Sequence, residues 1–362
     1  MGQPASSGRY RSLDSLRGLV ILWIVLFHIL DTYQEQYGRA FYAFMTLSDF
    51  RVHALILISG FGVAAAIEKA MASGVSWLDF LKRRLWRIYI PYWFSVLFAG
   101  WLIPWTCAWL ASLKGHDPAA YLVSYSWVEW LQVATLTKVF TATSWQLNKA
   151  FKPMNGAIWF LAVLVQMYVV MALAMRSRRY HLVMVIVTII AWLTVIPQVR
   201  AWVPYGIFLP YWIGFSVGMG LFYVLRRGFV LRVRSRREYA LYAGMLASYL
   251  LGSIAVLSWF PRAWLFVLAF GGLLWLLYPI DARLTTTRVF RWCAFLGMFS
   301  YSLYLLHVPL EPLMSMLARN LTPLPPHLAD PLLVIPAIVV ISYGWSRVFE
   351  RPFHPSRQVR RF

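Results

Sequence analysis

Apolar residues in this chain come in runs of about 20, separated by short breaks that carry arginine. That is the spacing of helices that each cross a hydrocarbon core of about 30 Å. Ten runs are read, at 14–34, 48–70, 88–112, 156–176, 181–197, 203–224, 238–258, 262–280, 292–316 and 329–349. The pattern changes over 115–155, where His116, Asp117, Glu129, Lys138, Lys149 and Lys152 stand among many aromatics. This stretch is expected to form an excursion on the outer face, with an interfacial amphipathic helix over Trp127–Val139. Taken as an eleventh span it would invert the charge pattern downstream.

Composition agrees with the pattern. The chain is 60% hydrophobic and 13% charged, against about 25% charged residues in soluble domains. Its net charge of +21 would point to nucleic acid in a soluble protein. Here the loops explain it, and no nucleic-acid partner is expected. With the N-terminus inside, 25 of the 34 Lys and Arg residues fall on the inner side and nine on the outer. That asymmetry is what the positive-inside rule requires. The expected fold is therefore all-α, a polytopic bundle of about ten helices in the lipid bilayer of the cytoplasmic (inner) membrane, with both termini cytoplasmic. Residues 1–350 read as a single transmembrane domain and 351–362 as a short basic tail suited to inner-leaflet headgroups. Arg9 and Arg11 precede the first run. That run is too long for a signal peptide and lacks a small-x-small cleavage site, so it reads as a retained helix. Cys107 and Cys293 lie on different spans without metal-ligand spacing, so neither a metal site nor a disulfide is expected.

Ionisable residues within spans are costly and point to function. The first run carries Asp14, Arg17, His28 and Asp31. Arg17 and His28 are eleven residues apart, which is about 20° past three helical turns, so they share one face about 16.5 Å apart along the axis. A guanidinium at the inner face suits a phosphate arriving from the cytoplasm. An imidazole deeper in the helix suits general-base work near neutral pH, and Asp31 at i+3 could orient it. Taken singly, Arg17 also reads as a snorkelling anchor, His28 as a packing histidine and Asp14 as a helix cap. On the ninth run Tyr304, His307 and Glu311 fall on one face, and Pro309 can bend that helix and free a backbone carbonyl. His53 lies near the outer end of the second run, with Ser59 deeper.

The opening Tyr10-Arg-Ser-Leu-Asp14-Ser-Leu-Arg17-Gly-Leu, with His28 ten residues beyond the arginine, resembles the start of acyltransferase family 3. Four further stretches resemble that family in its own order. They are Leu57-Ile-Ser59-Gly60-Phe61, Arg84-Leu-Trp-Arg87 with Pro91, Phe299-Ser300-Tyr301-Ser302-Leu-Tyr304-Leu-Leu-His307, and Phe349-Glu350-Arg351-Pro352. One stretch departs. Many members carry Trp-Ser-Leu-x-x-Glu-x-Gln-Phe-Tyr in a middle helix, and here the glutamate positions of the segment Trp159 to Tyr168 are Leu164 and Val165.

The resemblance implies an integral-membrane O-acyltransferase of bacterial surface polysaccharides. Acyl-coenzyme A, most simply acetyl-coenzyme A, would be donor on the cytoplasmic side, and a sugar of an exported polysaccharide or its lipid-linked precursor would be acceptor outside. His28 is then the expected catalytic base, assisted by Asp31. Arg17, Arg84 and Arg87 are expected to bind the donor's phosphates, and His307, Glu311, Tyr304, His53 and Ser59 to face the acceptor. Some relatives have a fused esterase-like domain, for which this sequence shows no counterpart. Any such partner protein, or a homo-oligomer, would be a separate chain. Proton-coupled transport is the competing function, since intramembrane His, Asp and Arg suit it too, but the sequence shows no inverted repeat. An acyltransferase acting on a lipid or another non-polysaccharide acceptor is the third reading.

Overall fold

A computed structural model of the chain describes residues 10–38, 50–144, 146–152, 154–177, 179–194, 196–230 and 259–353, with a few isolated positions between them. The described residues are helical, without strands. Helices of eight or more residues are α1 (Leu13–Leu30), α2 (Arg51–Ala72), α3 (Trp77–Leu97), α4 (Ile103–Ser112), α5 (Trp127–Ala134), α6 (Trp159–Arg176), α7 (Tyr180–Leu193), α8 (Trp212–Arg226), α9 (Trp259–Leu277), α10 (Arg288–Gly297), α11 (Ser300–Leu321) and α12 (Ile335–Trp345).

Among the described residues, six stretches are long and apolar enough to cross a membrane: Leu13–Tyr37, Arg51–Ala72, Trp77–Ser112, Gly156–Arg176, Arg262–Leu284 and Pro326–Glu350. The ten-span expectation differs from this in several places. α7 and α8 have 14 and 15 residues, short of the roughly 20 that a perpendicular crossing needs. The expected span 238–258 lies outside the described residues except at isolated positions. The expected span 292–316 is two helices, α10 and α11, bent by 73°. Hydropathy registers a continuous apolar run there, not the backbone break at Met298 and Phe299. The third span starts at Trp77 rather than 88, because the Ser76 hydroxyl accepts the Asp79 N–H at 3.1 Å and caps the helix early. Arg84 and Arg87 consequently sit on a helix, three residues apart on one face. α3 then runs through a π-helical stretch, Phe98–Leu102, into α4.

α1 lies against α2, α10 and α11. Its start is held by the buried carboxylate of Asp281, which accepts the N–H groups of Arg11 and Ser12 (2.6 and 2.9 Å) and the Ser12 hydroxyl. An acid there complements the orphan N–H groups and the positive end of the helix dipole. α1 crosses α10 almost backbone to backbone. A Cβ at Gly18 would stand 1.8 Å from the Cys293 carbonyl oxygen, and one at Gly297 would stand 2.0 Å from that of Asp14. α2 and α8 meet in the same way, with Gly60 against Phe215 and Gly218 against Leu57. Small residues allow such approach where lipid supplies no hydrophobic drive for helix association.

Within 115–155 the longest described helix is α5, eight residues with a capping box from Ser126 and Glu129. It ends at Ala134 rather than at 139, because Leu136 adopts left-handed backbone at φ 63° and the chain continues as a 3-10 turn, Thr137–Thr141. The carbonyls of Val133, Ala134 and Thr135 accept hydrogen bonds from Tyr92, Trp93 and Tyr89 of α3 (2.6, 2.9 and 3.0 Å). These are the orphan acceptors of a helix end, and they dock the segment on α3. Lys138 is buried, its Nζ 2.8 Å from the Glu129 carboxylate and 4.7 Å over the Tyr125 ring.

Two expectations follow. Gly18→Ala should destabilise the protein in detergent by about 1–3 kcal/mol through overpacking, while Gly220→Ala, with nothing within 4 Å of the new Cβ, should be neutral or slightly stabilising; thermal unfolding compares them. The hydrogen bond from Lys138, aided by Ser126, holds the Glu129 carboxyl down at about 2. Its support of the 126–141 segment is therefore complete above the ordinary carboxylate range and fades as pH falls toward 2. Proteolytic nicking of this segment should rise in that window for the wild type, and Glu129→Gln should show the higher nicking at neutral pH already.

Candidate active site

Successive turns of α1 put Asp14, Arg17 and Ile21 on the wall of a cavity of about 720 Å³, within the size range of small-molecule sites. Its polar end carries Arg17, Arg84, Arg87 and Arg351, with the acids Asp14 and Glu350. Asp14 pairs with Arg17 at 3.0 Å, and Arg84 lies 5.7 Å over the Tyr168 ring. Buried Glu350 accepts the Ser302 hydroxyl at 2.6 Å and the Ser302 N–H at 3.3 Å. The Tyr301 hydroxyl donates to the Ile88 carbonyl at 2.7 Å. These bonds tie α11 to α3 and to the end of the last span, which carry Arg84, Arg87 and Arg351. The rest of the lining is apolar and includes Leu55, Phe160, Leu161 and Leu164, with Tyr304. Leu164 thus places a buried apolar side chain on the cavity wall where many family sequences have glutamate, while Val165 is half-buried and does not line it. Ser59 also lines this cavity, and its hydroxyl donates to the Leu55 carbonyl of its own helix at 2.8 Å.

His28, two turns beyond Ile21, does not line the cavity. Between the two stand Tyr304 and His307. The Tyr304 hydroxyl donates to the Ala157 carbonyl, and its ring packs against Phe160 at 5.4 Å and His307 at 5.8 Å. His307 is fully buried, with Nδ1 2.8 Å from the Tyr304 carbonyl and 3.1 Å from that of Leu303. Carbonyls only accept, so Nδ1 is assigned the proton and Nε2 the lone pair. That Nε2 has no hydrogen-bond partner among the described residues. The His28 ring lies 5.1 Å from the His307 ring and is itself exposed.

Pro309 does free a carbonyl, as its position implies. Lacking an N–H, it leaves the Leu305 oxygen without a helical donor, and Asn155 Nδ2 fills the gap at 2.9 Å. Asn155 Oδ1 in turn accepts the Ala157 N–H at 3.0 Å, and Ala157 holds Tyr304. α11 is nevertheless one helix through Pro309 and Pro312, and its sharp bend lies before Ser300.

The other sequence-derived candidates separate. Asp31 is exposed on a 3-10 turn, where it accepts from Gln34 Nε2 at 2.6 Å, and the imidazole packed against His28 is that of His307. His53 is buried and stacked on Tyr211 at 5.8 Å, so it belongs to the core beside α8. Glu311 is half-buried one turn beyond His307. Farther out, buried Asp330 accepts from Tyr33 at 2.6 Å and Ser315 at 3.1 Å. Arg51 lies near the histidines although its place before an apolar run reads as a loop charge. Its Cζ sits 3.4 Å over the Phe27 ring, and Phe27 meets His28 edge-on at 5.3 Å. A buried guanidinium is costly, and a desolvated cation–π contact offsets about 2 kcal/mol of that cost.

Comparison with protein families settles the class. The model of the acyltransferase domain of family 3 matches residues 10–351, nearly the whole chain. The chain belongs to acyltransferase family 3. Searches of curated proteins and of solved structures found no match. The protein is thus a membrane acyltransferase, which favours acylation over transport. Its family-like stretches, scattered from Tyr10 to Pro352, converge here: Arg17, Ser59, Arg84, Arg87, Tyr301, Tyr304, Glu350 and Arg351 line one cavity. Asn155, Asp281 and Arg51 escaped the sequence reading. Only Asn155 had a signal, since Pro309 implies a side-chain donor for the Leu305 carbonyl.

Proposed function

We propose that this acyltransferase moves an acyl group, acetyl in the simplest case, from acyl-coenzyme A to a hydroxyl of an extracytoplasmic acceptor. The acceptor is a sugar of a surface or exported polysaccharide or its lipid-linked precursor. One observation carries the reading: a cavity with four guanidinium groups at one end closes at Tyr304 and His307, and exposed His28 lies on the other side of that layer.

Arg17, Arg84, Arg87 and Arg351 suit the donor's phosphates, which guanidinium groups bind through paired, charge-assisted hydrogen bonds. The arginine end faces the cytoplasm, as do both termini, and the membrane is the cytoplasmic one. The extended pantetheine arm has a reach comparable to the separation of about 16.5 Å between Arg17 and His28. It runs along the apolar wall past Leu161 and Leu164 and presents the thioester at the Tyr304–His307 layer. His28, on the acceptor side, takes the proton of the attacking hydroxyl. The new C–O bond forms at the thioester carbonyl and the C–S bond breaks. The proton leaves with the coenzyme A thiol, so His28 ends neutral. His307, its Nδ1 fixed by two carbonyls, packs its ring against that of His28 at 5.1 Å. His53 and Asp31 have no part in the transfer.

Calorimetry with acetyl-coenzyme A and an acyl-transfer assay in membranes test this. Arg17→Ala should weaken donor binding at least about tenfold, as loss of one charge-assisted contact implies. His28→Ala should keep binding and lose about 10²–10⁴-fold in transfer. A well-made His28→Ala protein acylating at the wild-type rate would contradict the role of His28. Absence of donor binding by the folded wild type would contradict the donor.

A further inference from the structure

The position of Arg51 suits neither a headgroup anchor nor a helix stabiliser. An anchoring arginine extends to the interface and stays exposed, whereas Arg51 is buried, with a relative exposure of 9%. It is the first residue of α2, where a cation opposes the positive end of the helix dipole. Both costs fall on a guanidinium packed toward the reacting end of the molecule. Its Cζ lies 3.4 Å from the centre of the Phe27 ring, Phe27 abuts His28 at 5.3 Å, and His28 abuts His307 at 5.1 Å. The four side chains form one packed row from α2 through α1 to α11.

We propose that Arg51 is a positioning residue for acyl transfer at His28. The inference rests on the acyl-transfer reading above. When the acceptor oxygen attacks the thioester carbonyl carbon, the carbonyl π pair moves onto its oxygen and the acceptor's proton moves to His28. The complex then holds an oxyanion beside an imidazolium. As the C–S bond breaks, the oxyanion's pair re-forms the carbonyl and the thiolate takes the proton from His28. Through that interval the His28 ring must keep its direction. The packing of Arg51 on Phe27 holds the Phe27–His28 edge contact, and with it that direction. Arg51 acts through Phe27, and the donor's phosphates lie with the arginines at the far end of the cavity.

The experiment uses full-length protein in cell-envelope membranes that retain the acceptor and follows release of free thiol from acetyl-coenzyme A, beside calorimetric binding of acetyl-coenzyme A to the purified protein. Arg51→Gln should lower kcat about 100-fold, the scale on which a misplaced catalytic group acts, with KM and donor affinity within about threefold of wild type. Arg51→Lys should recover about tenfold of that loss, since an ammonium keeps a cation over the Phe27 ring. Phe27→Leu, which removes the platform, should lose as much as Arg51→Gln and covers the case in which Arg51→Gln does not fold. Arg51→Gln turning over within threefold of wild type while His28→Ala is dead would overturn this inference alone. Parallel loss of donor affinity and kcat would also overturn it, by placing Arg51 in donor binding or in folding. A wild type that releases no thiol would overturn it together with the acyl-transfer reading.

Discussion

The Leu305 carbonyl is the point on which the site depends. Pro309 denies it a helical partner, and an unsatisfied carbonyl inside a membrane costs several kcal/mol. Asn155 fills the place from a different segment. The same side chain orders the turn at Ala157, and Ala157 receives the Tyr304 hydroxyl. One missing N–H thus determines where the 154–158 segment docks. That docking fixes Tyr304, and through it the floor of the arginine-lined cavity. The adjacent histidine is held in the same helix by the Leu303 and Tyr304 carbonyls. Local backbone chemistry builds the partition between the two halves of the site.

That partition suits the proposed reaction, in which a thioester and a hydroxyl approach from opposite faces of the membrane and meet where water and ions do not leak through. The fully buried His307 and the Tyr304–Ala157 contact close the cavity, and exposed His28 stands beyond them. The arginines gather at the other end, braced by Asp14 and by the Ser302–Glu350 pair. The arginine cluster and the histidine pair are thereby separated along one helix, α1. The close α1–α10 crossing at Gly18 and Gly297 keeps that helix central.

Much of this was legible in the sequence, for physical reasons. Runs of about 20 apolar residues suit spanning helices, and the eleven-residue interval from Arg17 to His28 fixes a shared face. Six candidate spans are present among the described residues. Hydropathy does not register backbone breaks, so the bend between α10 and α11 was invisible, as was the early start of α3 at its Ser76 cap. Within the site, types and spacing find residues that act along one helix. They cannot show which helices face each other. His307 against His28, Arg51 over Phe27 and Asp281 at the start of α1 are all contacts between helices distant in sequence. His53 looked equivalent to these by residue type, but packing turned it toward Tyr211. Asp31, one turn from His28, sits on a 3-10 turn and bonds Gln34.

The most direct measurement is a cryo-electron-microscopy structure of the protein in nanodiscs with a thioether analogue of acetyl-coenzyme A that cannot be cleaved. The account predicts phosphate density within hydrogen-bond distance of Arg17, Arg84 or Arg87, and the sulfur at the Tyr304–His307 layer on the side away from His28. Phosphates bound on the His28 side, or an analogue lodged outside the arginine-lined cavity, would contradict it.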